Sequence, residues 1–191
     1  MNYNKLTSLV ANVEAIETAV QIHVQGRTAT TDEKEILSLY SGFGGIKEVL
    51  NIGTDNPVAD NMTESLNRLE TALRTLAGED GTMYRTLIES IKASVLTAFY
   101  TPQFIVDAVA RQIHTTFKDN NLQMRSFLEP SAGIGGFLPV AMPGTHSYAF
   151  EKDCITGLIL SLLHDDTDTV TAGFETIAGQ GFEHSKFDVI D

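Results

Sequence analysis

The segment "FLEPSAGIGGFL", residues 127–138, is the part of the sequence that decides the fold. An apolar run ends at Glu129 and Pro130, glycines then occupy positions 133, 135 and 136, and apolar residues resume. A buried strand followed by a glycine-rich turn is typical of α/β proteins that bind a ligand at the carboxyl end of a strand. Glycine suits such a turn because it lets the backbone approach the ligand closely.

Short apolar runs alternate with helical patterns after Pro102. One amphipathic helix is predicted to carry Pro102 in its first turn and Thr101 as its N-cap. Another is predicted to begin after the glycine turn and to be broken early by Pro139 and Pro143. Further segments are predicted as strands (125–129, 146–151, 168–174, 186–190) and as a helix (154–164). This alternation predicts a parallel sheet of the doubly wound α/β type.

The first 98 residues carry apolar side chains at three- and four-residue spacings. These stripes predict helices that pack on one another, in the segments 6–24, 31–39, 64–78 and 84–96. We therefore expect an α-helical N-terminal region, residues 1–98, followed by an α/β domain, residues 99–191. The segment "SGFGG" (41–45) allows two interpretations: a helix stop at Gly44 or Gly45, and a packing role.

Charge and composition exclude several classes of protein. The 191 residues carry a net charge of −12 and a single cysteine. Both halves of the chain are acidic, so neither has the basic surface expected of a protein that holds nucleic acid by itself. Cys154 alone cannot form an internal disulfide and fits a reducing compartment, so we expect a cytoplasmic protein. No apolar stretch is long enough to span a bilayer, and the histidines lack metal-ligand spacing, so we expect neither a membrane partner nor a metal.

The acid in front of the glycine turn bears on the choice of ligand. A dinucleotide-binding turn reads G-x-G-x-x-G and faces a pyrophosphate with a helix N-terminus. Here the spacing is G-x-G-G, and the carboxylate of Glu129 at the strand end would repel a pyrophosphate. The same carboxylate suits a ligand with an ammonium group. S-adenosylmethionine has such a group, so the acid favours this cofactor over a dinucleotide.

A second acid stands at the end of the next predicted strand. Glu151 follows the glycine turn by about 20 residues, which is where an acid that binds ribose hydroxyls belongs in this class of fold. Its carboxylate could accept hydrogen bonds from both hydroxyls. We therefore predict that Glu151 is a ribose-binding residue.

The motifs together resemble a known family. "FYTPQFIVDAVA", "FLEPSAGIGGFL", "AFEKDCITGLILSLL", "GFE" and "FDVI" occur in the order found in N6-adenine DNA methyltransferases whose Thr-Pro cofactor motif precedes the glycine motif. The segment "LYSGFGGIKEVL" (39–50) is similar to an upstream motif of the large methylases, often fused to helicases, of mobile elements and phages. The resemblance covers roughly residues 36–191. It implies a Rossmann-like methyltransferase fold, of which this chain would hold the first half.

The resemblance also implies roles for individual residues. Tyr100, Thr101 and Pro102 would border the methionine end of S-adenosylmethionine, with the Thr101 hydroxyl on the carboxylate. Glu129 would face the methionine ammonium, and Glu151 would bind the ribose. The remaining residues of the expected cofactor site are Pro130, Ser131, Ala132, Gly133 and Phe174. Phe174 would lie against the adenine ring, although Gly173 stands where the family usually has an acid for the adenine amino group, and Glu175 follows instead.

The family's catalytic loop is expected just beyond Asp191. There an Asn or Asp, a proline and an aromatic residue hold the flipped adenine. By spacing, Asp191 falls short of that motif and is not the catalytic acid. We therefore expect the chain itself to lack a catalytic residue and not to methylate DNA, and we expect DNA to bind through an absent C-terminal part.

Two other functions remain open from the sequence. The chain could be a dinucleotide-binding Rossmann fragment, against which Glu129 and the G-x-G-G spacing speak. It could also be an interaction or regulatory module that keeps a methyltransferase-like fold without a ligand. The sequence determines neither the oligomeric state nor the DNA target.

Overall fold

The computed structural model describes residues 4–54, 59–176 and 187–191. The chain divides into two compact units, Met1–Phe99 and Tyr100–Asp191. Every described element of the first unit is helical, and every described strand lies in the second. No helix within these ranges has both the length and the apolar character needed to cross a membrane.

The first unit is a set of packed helices. Its elements are α1 (Lys5–Gln25), α2 (Thr31–Ser38), a short 3-10 helix (Lys47–Asn51), α3 (Asp60–Ala77) and α4 (Gly81–Thr97). Helix α1 packs against α2 and α3, and α3 packs against α4. Leu9, Val13 and Ile16 of the predicted α1 stripe are fully buried, whereas Val10 and Val24 are exposed.

The "SGFGG" segment has a packing role. The α2 helix ends at Ser38, well before Gly44, so the helix-stop interpretation is wrong. Phe43 is fully buried, and the Gly45 N–H donates to the Val95 carbonyl at 3.1 Å. A Cβ atom on Gly44 would overlap the backbone carbonyl of Ala98. Only glycine lets the loop approach the end of α4 this closely.

The second unit is mixed α/β with an all-parallel sheet, which confirms that part of the prediction. Its elements are α5 (Gln103–Asp119), β1 (Ser126–Glu129), a 3-10 helix (Leu138–Val140), β2 (His146–Phe150), α6 (Cys154–Leu163), β3 (Asp168–Val170) and β4 (Val189–Ile190). The strand order is β3-β2-β1-β4. The start of the predicted strand 186–190, Lys186, lies outside the described residues. Buried side chains of the unit's core include Val106, Met124, Phe127, Ala149 and Leu160.

Two local predictions in this unit are wrong. No α-helix begins after the glycine turn, where the chain forms only the short 3-10 helix. Pro143 is one cause, because at that position a continuing α-helix would lose the hydrogen bond to the Pro139 carbonyl and the proline ring would clash with it. The α5 helix begins at Gln103 with Pro102 in the N-cap position, and no side chain caps it. Thr101 therefore stands one residue too early to be the cap.

Candidate functional site

The carboxyl ends of three neighbouring strands carry acidic residues. Glu129 ends β1, Glu151 follows β2 and Asp191 follows β4. The strand order places β1 between β2 and β4, and all three strands are parallel, so these residues lie at one edge of the sheet. The chain passes outward from β1 through β2 to β3 and then returns to the other side of β1. Open α/β sheets bind ligands at such a reversal of strand order.

A backbone hydrogen bond joins the glycine turn to this edge of the sheet. The Ala132 N–H donates to the carbonyl of Phe150, the last residue of β2, at 2.8 Å, and the Gly135 N–H donates to the Ala132 carbonyl at 2.7 Å. Gly133 and Gly135 have φ values of +57° and +86°, in the left-handed region that favours glycine. The sequence therefore places glycine where the backbone conformation requires it.

Glu129 is the most buried acid of the site. Only 5% of its surface is exposed, and its Oε2 atom has no hydrogen-bond partner among the described residues. Burial raises the pKa of Glu129 to about 8, the backbone N–H of Phe137 opposes that shift, and the negative charges of Asp191 and Glu151 add to it. Glu129 is therefore a buried carboxyl group that no described cation compensates.

The Glu151 carboxylate accepts hydrogen bonds from two backbone N–H groups, one in the glycine turn and one just after β2. Its Oε2 atom accepts a hydrogen bond from the Gly133 N–H and its Oε1 atom accepts one from the Asp153 N–H, both at 2.8 Å. Burial raises the pKa of Glu151, while these two N–H donors lower it. Each carboxylate oxygen has a second lone pair. Glu151 can therefore accept ligand hydroxyls while it holds the turn.

Tyr100 covers the glycine turn. A Cβ atom on Gly133 would overlap the Tyr100 ring, so the ring lies directly against the backbone there. Tyr100 keeps 39% of its surface exposed, but its hydroxyl hydrogen-bonds with Thr156. Burial of the hydroxyl, followed by the nearby charge of Glu151, raises the pKa of Tyr100 above its usual range. Tyr100 thus belongs to the same site as Glu151 and the turn.

The other predicted cofactor residues differ in accessibility. Thr101, Pro102 and Ser131 are exposed, and Pro130 is half-buried. Ala132 is 4% exposed and contributes to the core of the unit, so its backbone rather than its side chain is available to a ligand.

Phe174 lies beyond the end of β3, next to the carboxyl end of β2. Its ring meets the buried Phe150 ring edge-on, with centroids 5.5 Å apart. A Cβ atom on Gly173 would overlap the Glu175 carboxylate, which therefore occupies the space that a side chain at position 173 would fill. Glu175 also pairs with Lys152 at 3.3 Å.

Sequence reasoning missed three contributors to the site, namely Asp153, Thr156 and His164. Asp153 caps α6 and accepts a hydrogen bond from the Thr156 hydroxyl at 2.7 Å, which links it to Tyr100. His164 Nε2 donates to the Ile134 carbonyl at 2.9 Å and lies 2.6 Å from where a Gly135 Cβ atom would stand. Only the Asp153 contact had a sequence signal, an Asp placed before an apolar helical run.

Comparisons with known proteins add no identification. No protein-family model, no curated protein and no solved structure matches the chain. In the described part of the chain, no three His, Cys, Asp or Glu side chains are grouped so that they could hold a metal ion. The function must therefore be argued from the geometry of the site and from the sequence motifs.

Gly133→Ala is expected to destabilise the protein by about 2 kcal/mol. The new Cβ atom would meet the Tyr100 ring, and the left-handed backbone adds about 1 kcal/mol of strain. The control is Gly136→Ala, in the same turn, where nothing lies within 4 Å and φ is not positive. Urea unfolding followed by circular dichroism measures both. Equal stability of the two variants would contradict the close packing of Tyr100 on the turn.

Proposed function

We propose that residues 100–191 bind S-adenosylmethionine and form the cofactor-binding part of an N6-adenine DNA methyltransferase with a Rossmann-like fold. The cofactor would lie across the sheet edge, with its amino acid end at Glu129, its ribose at Glu151 and its adenine at Phe174. The resemblance of the ordered motifs supports the reaction, and the geometry of the acidic edge supports the cofactor.

The observation that carries the proposal is the buried carboxyl group of Glu129, which no described cation compensates and whose Oε2 atom has no hydrogen-bond partner among the described residues. A buried carboxyl group without a counterion destabilises the protein when it is charged. Such a group is therefore typical of a site where a ligand supplies the counterion. An ammonium group supplies both the opposite charge and hydrogen-bond donors. Glu129 stands at the reversal of strand order, beside the glycine turn, where a ligand of this fold is expected.

The turn itself speaks against a dinucleotide. Pyrophosphate sites of this type use free N–H groups of the turn and the N-terminus of an α-helix that follows it. Here the Gly133 N–H already donates to Glu151, and the element after the turn is a three-residue 3-10 helix. Charged carboxyl groups at this edge would also repel a pyrophosphate. A neutral or cationic ligand suits the site better.

The proposed reaction transfers a methyl group from the sulfonium of S-adenosylmethionine to the adenine amino nitrogen. The residues described above would hold and orient the cofactor, and none of them touches the adenine of DNA in this proposal. Expression of the protein from its full reading frame, followed by tritiated-methyl transfer to adenine-containing DNA, tests the reaction. DNA that already carries N6-methyladenine at every adenine is the matched control and should accept no label.

Calorimetric titration separates the proposed cofactor from its rivals. We expect S-adenosylmethionine and S-adenosylhomocysteine to bind, and we expect NAD to show no heat of binding at the same concentrations. Tighter binding of NAD would support the dinucleotide fragment instead. Absence of binding by all three ligands would support the interaction module and overturn the proposal.

Glu151→Gln is expected to weaken binding of S-adenosylhomocysteine by about 30- to 150-fold. The change removes charge-assisted hydrogen bonds to two ribose hydroxyls, which together contribute about 2–3 kcal/mol. Glutamine keeps an oxygen for the Gly133 or the Asp153 N–H, so the turn should survive. The control, Glu89→Gln, makes the same change at an exposed position of α4 and should leave the affinity unaltered. Unchanged affinity in a folded Glu151→Gln protein would remove Glu151 from the site.

A further inference from the structure

Glu129 and Asp191 are neighbouring residues at the carboxyl ends of adjacent strands, and the charge of Asp191 acts on Glu129. Leu128 pairs with Ile190 in the β1–β4 register, so the next residues, Glu129 and Asp191, are neighbours. The Asp191 N–H donates to the Leu128 carbonyl at 3.1 Å, which extends the pairing to the site. Two acids in this position repel each other when both are charged.

We propose that the Glu129–Asp191 pair holds one proton in the free protein and that binding of a ligand with an ammonium group releases it to the solvent. This inference rests on the proposed function, because it needs the amino group of the cofactor to reach Glu129. The proton leaves the Glu129 carboxyl group, the carboxylate that remains pairs with the ammonium, and no other bond changes.

The surroundings of Glu129 favour the protonated form. The charged groups that act on it are Asp191 from β4 and Glu151 from β2, and both are acidic. The backbone N–H of Phe137 donates a hydrogen bond to its carboxyl group, and Oε2 receives none from the described residues. Asp191 carries no positive charge in either protonation state, so this neighbour cannot act as a counterion. A cationic ligand beside Glu129 would instead favour the charged carboxylate.

The proton makes affinity depend on pH. With Glu129 titrating at about pH 8, nearly every free protein molecule holds the proton at pH 6.5. Binding must then expel about one proton, so below pH 8 the dissociation constant should fall about tenfold for each unit by which the pH is raised. The ammonium of the ligand keeps its own charge between pH 6.0 and 7.5, because α-amino groups titrate at about pH 8 or above.

Calorimetry in buffers of different ionisation enthalpy measures the released proton directly. At pH 6.5 we expect S-adenosylhomocysteine to release about one proton, and 5′-methylthioadenosine, which lacks the amino acid group, to release none. Between pH 6.5 and 7.5 the affinity for S-adenosylhomocysteine should rise about tenfold. In Glu129→Gln, release should vanish and affinity should become independent of pH.

Asp191→Asn provides a second variant, which keeps Glu129 in place. Loss of this negative neighbour should lower the pKa of Glu129 and shift the pH dependence of binding to lower pH. At pH 7.5 the variant should therefore release fewer protons per bound ligand than the wild-type protein. Binding of S-adenosylhomocysteine without proton release in the wild-type protein, or equal release in Glu129→Gln, would overturn the inference while leaving the proposed function intact. Failure of S-adenosylhomocysteine to bind at any pH would overturn both.

Discussion

Glu129→Gln is expected to become progressively more stable than the wild-type protein as the pH rises from 5 to 8. The pKa of Glu129 is about 8 in the folded protein and about 4.5 in an unfolded chain. Between these values the folded wild-type protein holds a proton that the unfolded chain has lost, so its stability falls as the pH rises. Glutamine cannot titrate, so the stability difference between the two proteins should grow by about 3 kcal/mol over this range.

Hydrogen exchange of the backbone amides, compared between the two proteins at each pH, measures this difference. Peptides from β1 and β2 should exchange more slowly in Glu129→Gln at pH 8, with a much smaller difference at pH 5. Peptides from α1, in the other unit, provide the internal control and should exchange alike. A stability difference that is the same at pH 5 and pH 8 would mean that Glu129 titrates normally.

Asn12→Ala is expected to destabilise the N-terminal unit by about 3 kcal/mol. Asn12 lies on α1 and is fully buried. Its Nδ2 donates to the Gly42 carbonyl, and its Oδ1 accepts from the Ser41 N–H at 2.8 Å. Alanine would leave the buried Gly42 carbonyl without its partner, which costs about 1–3 kcal/mol, and would also remove the hydrogen bond that fixes the exposed Ser41.

The matched control is Asn67→Ala, which makes the same change at an exposed position of α3. Exposed substitutions of this kind alter stability by about 0.5 kcal/mol or less. Urea unfolding followed by circular dichroism should separate the two variants clearly. Equal destabilisation by both would show that the Asn12 hydrogen bonds do not anchor the "SGFGG" loop.

The helices and the first two strands follow from local patterns in the sequence. Helix α3 ends at Ala77 with Gly78 as its C-cap, as the glycine predicted. The strands β1 and β2 fall within the segments predicted for them. Such features are predictable because spacing fixes which side chains share a face and because glycine ends a helix through its own backbone freedom.

Local sequence patterns gave wrong predictions where the same residues were compatible with more than one local structure. Pro139 was expected to interrupt a helix after its start, but the chain forms only a 3-10 turn there, with Val140 N–H bonded to the Phe137 carbonyl. Thr101 was expected to cap α5, but Pro102 takes that position. A proline near a helix start is compatible with several starting points, and the sequence alone does not choose among them.

The sequence by itself determined the glycine turn and the acids at the ends of β1 and β2. Only the tertiary structure decided that Asp191 stands beside Glu129, that Tyr100 lies on Gly133, and that the Glu175 carboxylate fills the space at Gly173. Turn and strand-end signals lie within a few neighbouring residues, so the sequence displays them directly. Asp191 follows Glu129 by more than 60 positions, and their proximity depends on strand order and on burial, which no local pattern encodes.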